Sequence, residues 1–247
     1  MSRLNRLATG AVHCRGRLAR SRVMVGLRKF LTSPTLMGVS AVAGIVAGAA
    51  AVLILRDFSP SKRLLAWQTL AASQGVSGDM GRRLALRTLK HENLTGIDLR
   101  WSVLTDVDLT RGRLKYAKFQ HSDLSNGRFR GAKLFGAYLD TSCCENADFR
   151  GAHLVEAWLR SARLVSARLD GAHLERADLT GANLTNARLT GATLGSAIIC
   201  GAGLGNAIGL TQEQVESARG DDRTVLPMSL RRPESWPRGD SCGPGHR

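Results

Sequence analysis

Residues 171–194 read "GAHLERADLTGANLTNARLTGATL", in which an alanine is followed two residues later by a leucine, and the pair recurs every five residues. Five residues along an α-helix turn through about 500°, so the leucines would scatter round the cylinder. Along one flat strand five is odd, and successive leucines would point to opposite faces. The period belongs to neither element.

Taking the large apolar residue as the centre, the register runs unbroken from Leu94 to Leu204. Of its twenty-three centres eighteen are leucine, three are Phe119, Phe129 and Phe149, and two are Cys144 and Ile199. Two residues before each centre a small residue dominates, with alanine at fifteen positions, including all from Ala147 to Ala202. Both positions must face inward. Burying a leucine stabilises by roughly 1.5–3 kcal/mol, whereas an unpaired charge there would be prohibitive. The other three positions carry nearly all the charged and polar residues and face water. Two residues after each centre, Gly or Asn holds twelve of the twenty-three positions, which is turn chemistry. A repeat of five with two inward groups and a turn is one short side of a coil, and stacked coils bury a continuous core. Spacing alone leaves the number of sides open.

"ADLTG" at 177–181, "ANLTN" at 182–186 and "ADFRG" at 147–151 resemble the A-(D/N)-L-x-x unit of the pentapeptide-repeat proteins, over about 115 residues. The resemblance implies an all-β solenoid, a right-handed quadrilateral β-helix. With about twenty residues per coil and rungs about 4.8 Å apart, it would hold nearly six coils and stand about 27 Å tall. It also offers one function: some members mimic DNA and bind gyrase. That reading, the alternative here, is disfavoured, because mimicry needs a strongly acidic surface. Residues 91–207 hold fourteen bases and twelve acids.

The basic excess of this +15 chain lies earlier. Residues 1–34 hold eight bases and no acid. From Thr35 to Leu55 follow twenty-one uncharged residues, enough to span a bilayer core as a helix of roughly 30 Å. Their length exceeds a signal-peptide core of roughly 7–15 residues, and no small-x-small cleavage pattern follows. An acid-free, Arg-rich leader also fits an organellar transit peptide. The positive-inside rule keeps the N-terminus cytoplasmic, facing anionic lipid, and places the repeats outside an inner cell membrane. Ser40, Gly44 and Gly48 form a small face that suits helix packing and a homodimer, although Gly and Ala are common in membrane helices generally. The span and the near-neutral repeats argue against gyrase, and no nucleic-acid partner is expected.

Six segments result: a basic segment 1–34, a transmembrane helix 35–55, a helical linker and N-terminal cap 56–90, the β-helix 91–209, a C-terminal helical cap 210–226 and a tail 227–247 expected to be disordered. Ser59-Pro60 suits a helix start, and "KRLLAWQTLAAS" and "GDMGRRLALRTLKHEN" read as two helices. "TQEQ" from Thr211 to Gln214 fits a capping box opening a helix to about Ala218. The segments flanking the repeats also look like flanks found in some membrane-associated members of the family.

If four sides make a coil, residues twenty apart stack. Tyr138 then lies beside Trp158, and Phe135 beside Val155 round the same corner, edged by Lys118, Arg160 and Asp178. These four residues form the candidate partner-binding patch, since clustered exposed aromatics are uncommon in a chain with 5% of them; cross-rung support of the sheet is the competing reading. His153 stacks on His173 beside Arg113 and Lys133, where two cations oppose a metal, so a solvated polar ladder is expected and no metal. Arg128, Arg168 and Arg188 share a column with Asp108 and Asp148, which reads as ion-pair laddering. Five irregularly spaced cysteines suggest no disulfide framework; Cys143 should point out and Cys144 in, as a leucine substitute. No nucleophile–base pair, carboxylate pair or phosphate loop emerges. The sequence therefore suggests a non-enzymatic, cofactor-free, membrane-tethered scaffold for an unidentified protein partner.

Overall fold

The computed structural model describes residues 60–72 and 81–237. The basic leader, the proposed span 35–55 with Ser40, Gly44 and Gly48, and the last ten residues of the tail lie outside the described residues. Among the described residues no helix is long and apolar enough to cross a membrane.

Parallel bridges join residues twenty apart, from Asn93↔Arg113 to Arg188↔Ile208. Four five-residue sides therefore make one coil, and each side contributes a single bridged residue rather than a long strand. Around Leu154 the pattern is explicit. The Leu154 N–H donates up to the His173 carbonyl at 2.7 Å, and the His153 N–H donates down to the Ala132 carbonyl at 2.9 Å. The corner closes with the Ala157 N–H donating to the Leu154 carbonyl at 3.0 Å. A corner this tight needs positive φ at its third residue, as in a type II turn. All twenty-three such positions have it, fifteen of them without glycine. The left-handed region carries no penalty for Gly and is tolerated by Asn, so their enrichment two residues after each centre follows from backbone sterics.

The centres and the alanines before them fill the interior. Every centre from Leu94 to Leu204 is at most 2% exposed. Phe129 stacks on Phe149 one rung above (4.9 Å, 13°) and meets Phe119 edge-on at 6.1 Å. Gly127 stands where alanine is usual because a Cβ there would come within 2.7 Å of the Phe129 ring. Cys144 fills a leucine site as expected; burial pushes its thiol up to about 12, so it stays protonated and unreactive. One inward column is polar: Ser102, Ser122 and Ser142 are buried, the last two donating to the carbonyls of Leu99 and Leu139.

Both ends are capped. Helix α1 (Pro60–Ala72) packs on α2 (Arg82–Leu89), with Ala66 and Leu70 buried against the array. The buried residues of α2, Arg82, Ala85, Leu86 and Leu89, recur at the spacing of one helical face. Arg82 is 2% exposed and donates to the Ser102 hydroxyl at 2.8 Å, so the serine column begins under a buried guanidinium.

At the other end α3 (Gln212–Ser217) opens with the expected capping box between Thr211 and Gln214. The Gln214 amide also donates to the carbonyls of Leu189 and Ala192, tying the helix to the last coil. Beyond α3 the chain rejoins the ladder through Ile198↔Arg219 and Gly203↔Val225, so the pairing outlasts the register that Gly209 interrupts.

Two expectations are corrected. Composition predicts a disordered tail beyond Pro227, yet the chain packs back at Trp236, which is 6% exposed, lies against Gly220, and donates from Nε1 to the Ala218 carbonyl. Composition misses this because one buried indole outweighs the polar residues around it. Cys143 and Cys200 are disulfide-bonded, against the expectation of no disulfide framework. Cys143 faces outward but is only 8% exposed. Irregular spacing in sequence is no guide to proximity once the chain is coiled.

Candidate functional site

The four residues of the patch lie where a coil of twenty places them, but as two sites divided by a corner. On one side Tyr138 and Trp158 bridge and stack, ring centroids 6.2 Å apart at 19°. Both are half-buried. The Arg160 guanidinium lies 4.7 Å over the indole and donates to Asp178 Oδ2 at 2.5 Å. Asp178 is itself 8% exposed and accepts from the N–H and hydroxyl of Thr180. This arrangement holds the indole flat against the wall and leaves its rim accessible.

Round the corner, Phe135 and Val155 form part of a groove of about 470 Å³ whose other sides include Arg113, Lys115, Lys133 and His153. Tyr116 meets Phe135 edge-on at 5.6 Å, and Lys115 Nζ lies 4.9 Å from the Phe135 centroid and 5.6 Å from that of Tyr116. Gly136 is needed at this corner because a Cβ would lie 2.5 Å from the Tyr116 ring.

The sequence reading overlooked two corner aromatics. Tyr116 is 44% exposed, and Trp101, 54% exposed, stacks on His121 with centroids 3.9 Å apart. Both occupy the turn position, with φ of 56° and 60°. A signal was available. Where most corners hold small or polar residues, a bulky ring in left-handed backbone is a costly choice, and such cost marks candidate sites.

The remaining outward columns are polar. His153 and His173 stack at 4.8 Å, with Glu175 3.7 Å from His173 Nδ1. The column of Asp108, Arg128, Asp148, Arg168 and Arg188 is as expected, but its ion pairs run to neighbouring columns: Asp148 with Arg150, Arg188 with Asp170, Asp108 with Lys90.

These charges tune stability with pH. Hydrogen bonds from Arg100 and Arg150 hold the Asp98 and Asp148 carboxyls below their ordinary range. They therefore favour the folded state above the unfolded carboxylate pKa, and that contribution is lost as pH falls through the lowered folded values. Asp140, beside Arg160 and Asp178, is pushed the other way by burial. A raised folded pKa means that its contribution to stability falls as pH rises from the ordinary carboxylate value through the raised one. Asp140→Asn should accordingly raise the thermal midpoint at pH 7 and lose that advantage below the ordinary carboxylate range, as read from melts across pH.

The pentapeptide-repeat family model matches at 113–143, 128–164, 142–181 and 159–195. No curated protein sequence matches the chain. Similar solved structures include QnrB1, a plasmid-mediated fluoroquinolone resistance protein (18% identity, 57% of this chain and 74% of that one, TM-score 0.41). Another is a pentapeptide-repeat protein of the Arabidopsis thaliana thylakoid lumen (35% identity, 40% and 77%, TM-score 0.25). A third is HetL from the cyanobacterium Nostoc sp. strain PCC 7120, involved in heterocyst differentiation regulation (25% identity, 69% and 81%, TM-score 0.23). Residues 113–195 thus match the pentapeptide-repeat family model, and over that stretch the chain is built as the coils of twenty residues described above.

Proposed function

We propose that this protein is a non-enzymatic, membrane-tethered β-helical scaffold that binds another protein through its side faces. The observation that carries this reading is the division of labour in each coil. Buried leucines, phenylalanines and alanines fill the interior, and the side chains that differ most from rung to rung lie on the outside. The half-buried Tyr138–Trp158 pair, with Arg160 and Asp178 at its edge, is the surface best suited to a protein partner, because rigid aromatics beside a fixed charge pair are typical anchors. The tether rests on the uncharged run 35–55 and its basic leader. A gyrase-binding DNA mimic would need continuous acidic faces, whereas exposed bases such as Arg113, Lys115 and Lys133 interrupt them here.

Cross-linking in membranes followed by pull-down tests the scaffold. Recovery of a specific protein should fall by roughly ten-fold or more for Tyr138→Ala/Trp158→Ala, as expected when two anchors are lost. Unchanged recovery would remove this patch from the account. A reporter active only outside the cytoplasm, fused after Ala218, should be active; activity of a cytoplasmic reporter alone would overturn the proposed orientation.

A further inference from the structure

We infer that the groove around Phe135 and Val155 is a docking site for an acidic peptide segment carrying an apolar side chain, a proposal that rests on the protein-scaffold reading above. Arg113 and Lys133 bridge directly on successive rungs, Lys115 stands in the neighbouring column, and all three are exposed. None has a carboxylate partner among the described residues. Elsewhere in the array Arg100, Arg150, Arg160, Arg163, Arg176 and Arg188 are each paired with an acid, while Arg111, Lys118, Arg128, Arg130 and Arg168 form no ion pair among the described residues either; what sets Arg113, Lys115 and Lys133 apart is that all three line one groove with Phe135 and Val155. Three unneutralised cations round one concavity leave a positive potential for a ligand to meet.

The groove is not merely basic. Phe135 and Val155 are half-buried and give it an apolar part, and Lys115 braces the Phe135 and Tyr116 rings. An occupant therefore needs carboxylates for the three cations and an aliphatic or aromatic group for the apolar part. An acidic peptide supplies both, with its anions on one side of an extended backbone and its anchor on the other.

Two observations favour peptide over nucleic acid. The cationic cluster spans only two rungs before Glu156, held by Arg176, and Glu175 enter the neighbouring columns, so there is no stripe for a phosphate backbone to follow. The aromatic rings here meet edge to face under Lys115, which leaves no free platform for stacked bases.

The test uses the full chain in lipid nanodiscs and a fluorescein-labelled peptide of alternating glutamate and leucine. Its comparators are the same peptide with glutamine for glutamate and an oligothymidine strand. Arg113→Gln/Lys115→Gln/Lys133→Gln should weaken the acidic peptide by at least about ten-fold. Arg128→Gln/Arg130→Gln/Arg168→Gln, an equal charge change at exposed or turn positions outside the groove, should stay within about two-fold. The glutamine peptide should bind far more weakly. All substitutions are at surface side chains, and an unchanged melting curve verifies the fold. Equal losses in the two triple variants would mean attraction by net charge alone and would overturn the site. So would unchanged binding in the first variant, or an oligothymidine strand that displaces the peptide. If the peptide fails to bind while a cross-linked partner is still recovered, the groove proposal falls and the scaffold stands. If the peptide binds with the stated variant pattern but no partner is recovered, the groove stands and the scaffold reading falls.

Discussion

Inserting a single alanine between Arg163 and Leu164 is expected to abolish cooperative folding of the array above that point. Each downstream residue moves one place along the repeat. The inward centres then receive Arg168, His173, Asp178, Asn183 and Arg188 in place of five leucines. Each unpaired buried charge costs several kcal/mol, and each displaced leucine forfeits roughly 1.5–3 kcal/mol more. The total exceeds a typical net stability of about 5–15 kcal/mol. Circular dichroism melts and limited proteolysis would read the loss. The contrasting variant duplicates one whole coil, residues 161–180. It keeps every inward residue inward and every rung partner twenty residues away, and it should melt cooperatively near the parent midpoint. Equal tolerance of both insertions would contradict a packing governed by the five-residue register.

Phe129→Ala is expected to be among the most damaging single substitutions, by about 3–5 kcal/mol. The ring is 0% exposed, stacks on Phe149 and meets Phe119 edge-on, so truncation removes two aromatic contacts and opens a cavity inside rigid coils. Phe129→Leu, which restores the residue used at most centres, should cost less than about 2 kcal/mol, because the remaining void is smaller. Urea midpoints would measure both. A Phe129→Ala variant with the parent's midpoint would mean that the three phenylalanines are interchangeable with any apolar filling.

The five-residue period was legible because it repeats twenty-three times and because, apart from Glu92 in the first repeat, both inward sites exclude charge. Twenty-residue stacking was not a property of the spacing; it came from the family resemblance, and the bridges from Asn93 to Ile208 bear it out. The capping box at Thr211 was legible since it is a local pattern. Arg82 was not: a buried arginine over Ser102 is decided by what a helix lies against, which no local pattern records. Trp236 escaped for the same reason. In the candidate patch, the columns of Tyr138 and Trp158 followed from counting. Their separation from the groove by a corner, and the part played by Tyr116, required the turn geometry.

The rejoining of the ladder at Arg219 and Val225, closed over by Trp236, bears on how this chain avoids growing. A stack of parallel rungs is its own template: the last one presents the same unpaired amides and carbonyls that seated it on the rung below. Arg219 and Val225 use part of that edge, and the indole with its tail lies over the end. Without such a terminator, molecules built this way could add to one another end to end, as fibrils do. The last few turns of chain thus act as a stop signal against self-assembly, written in one tryptophan and a six-residue helix.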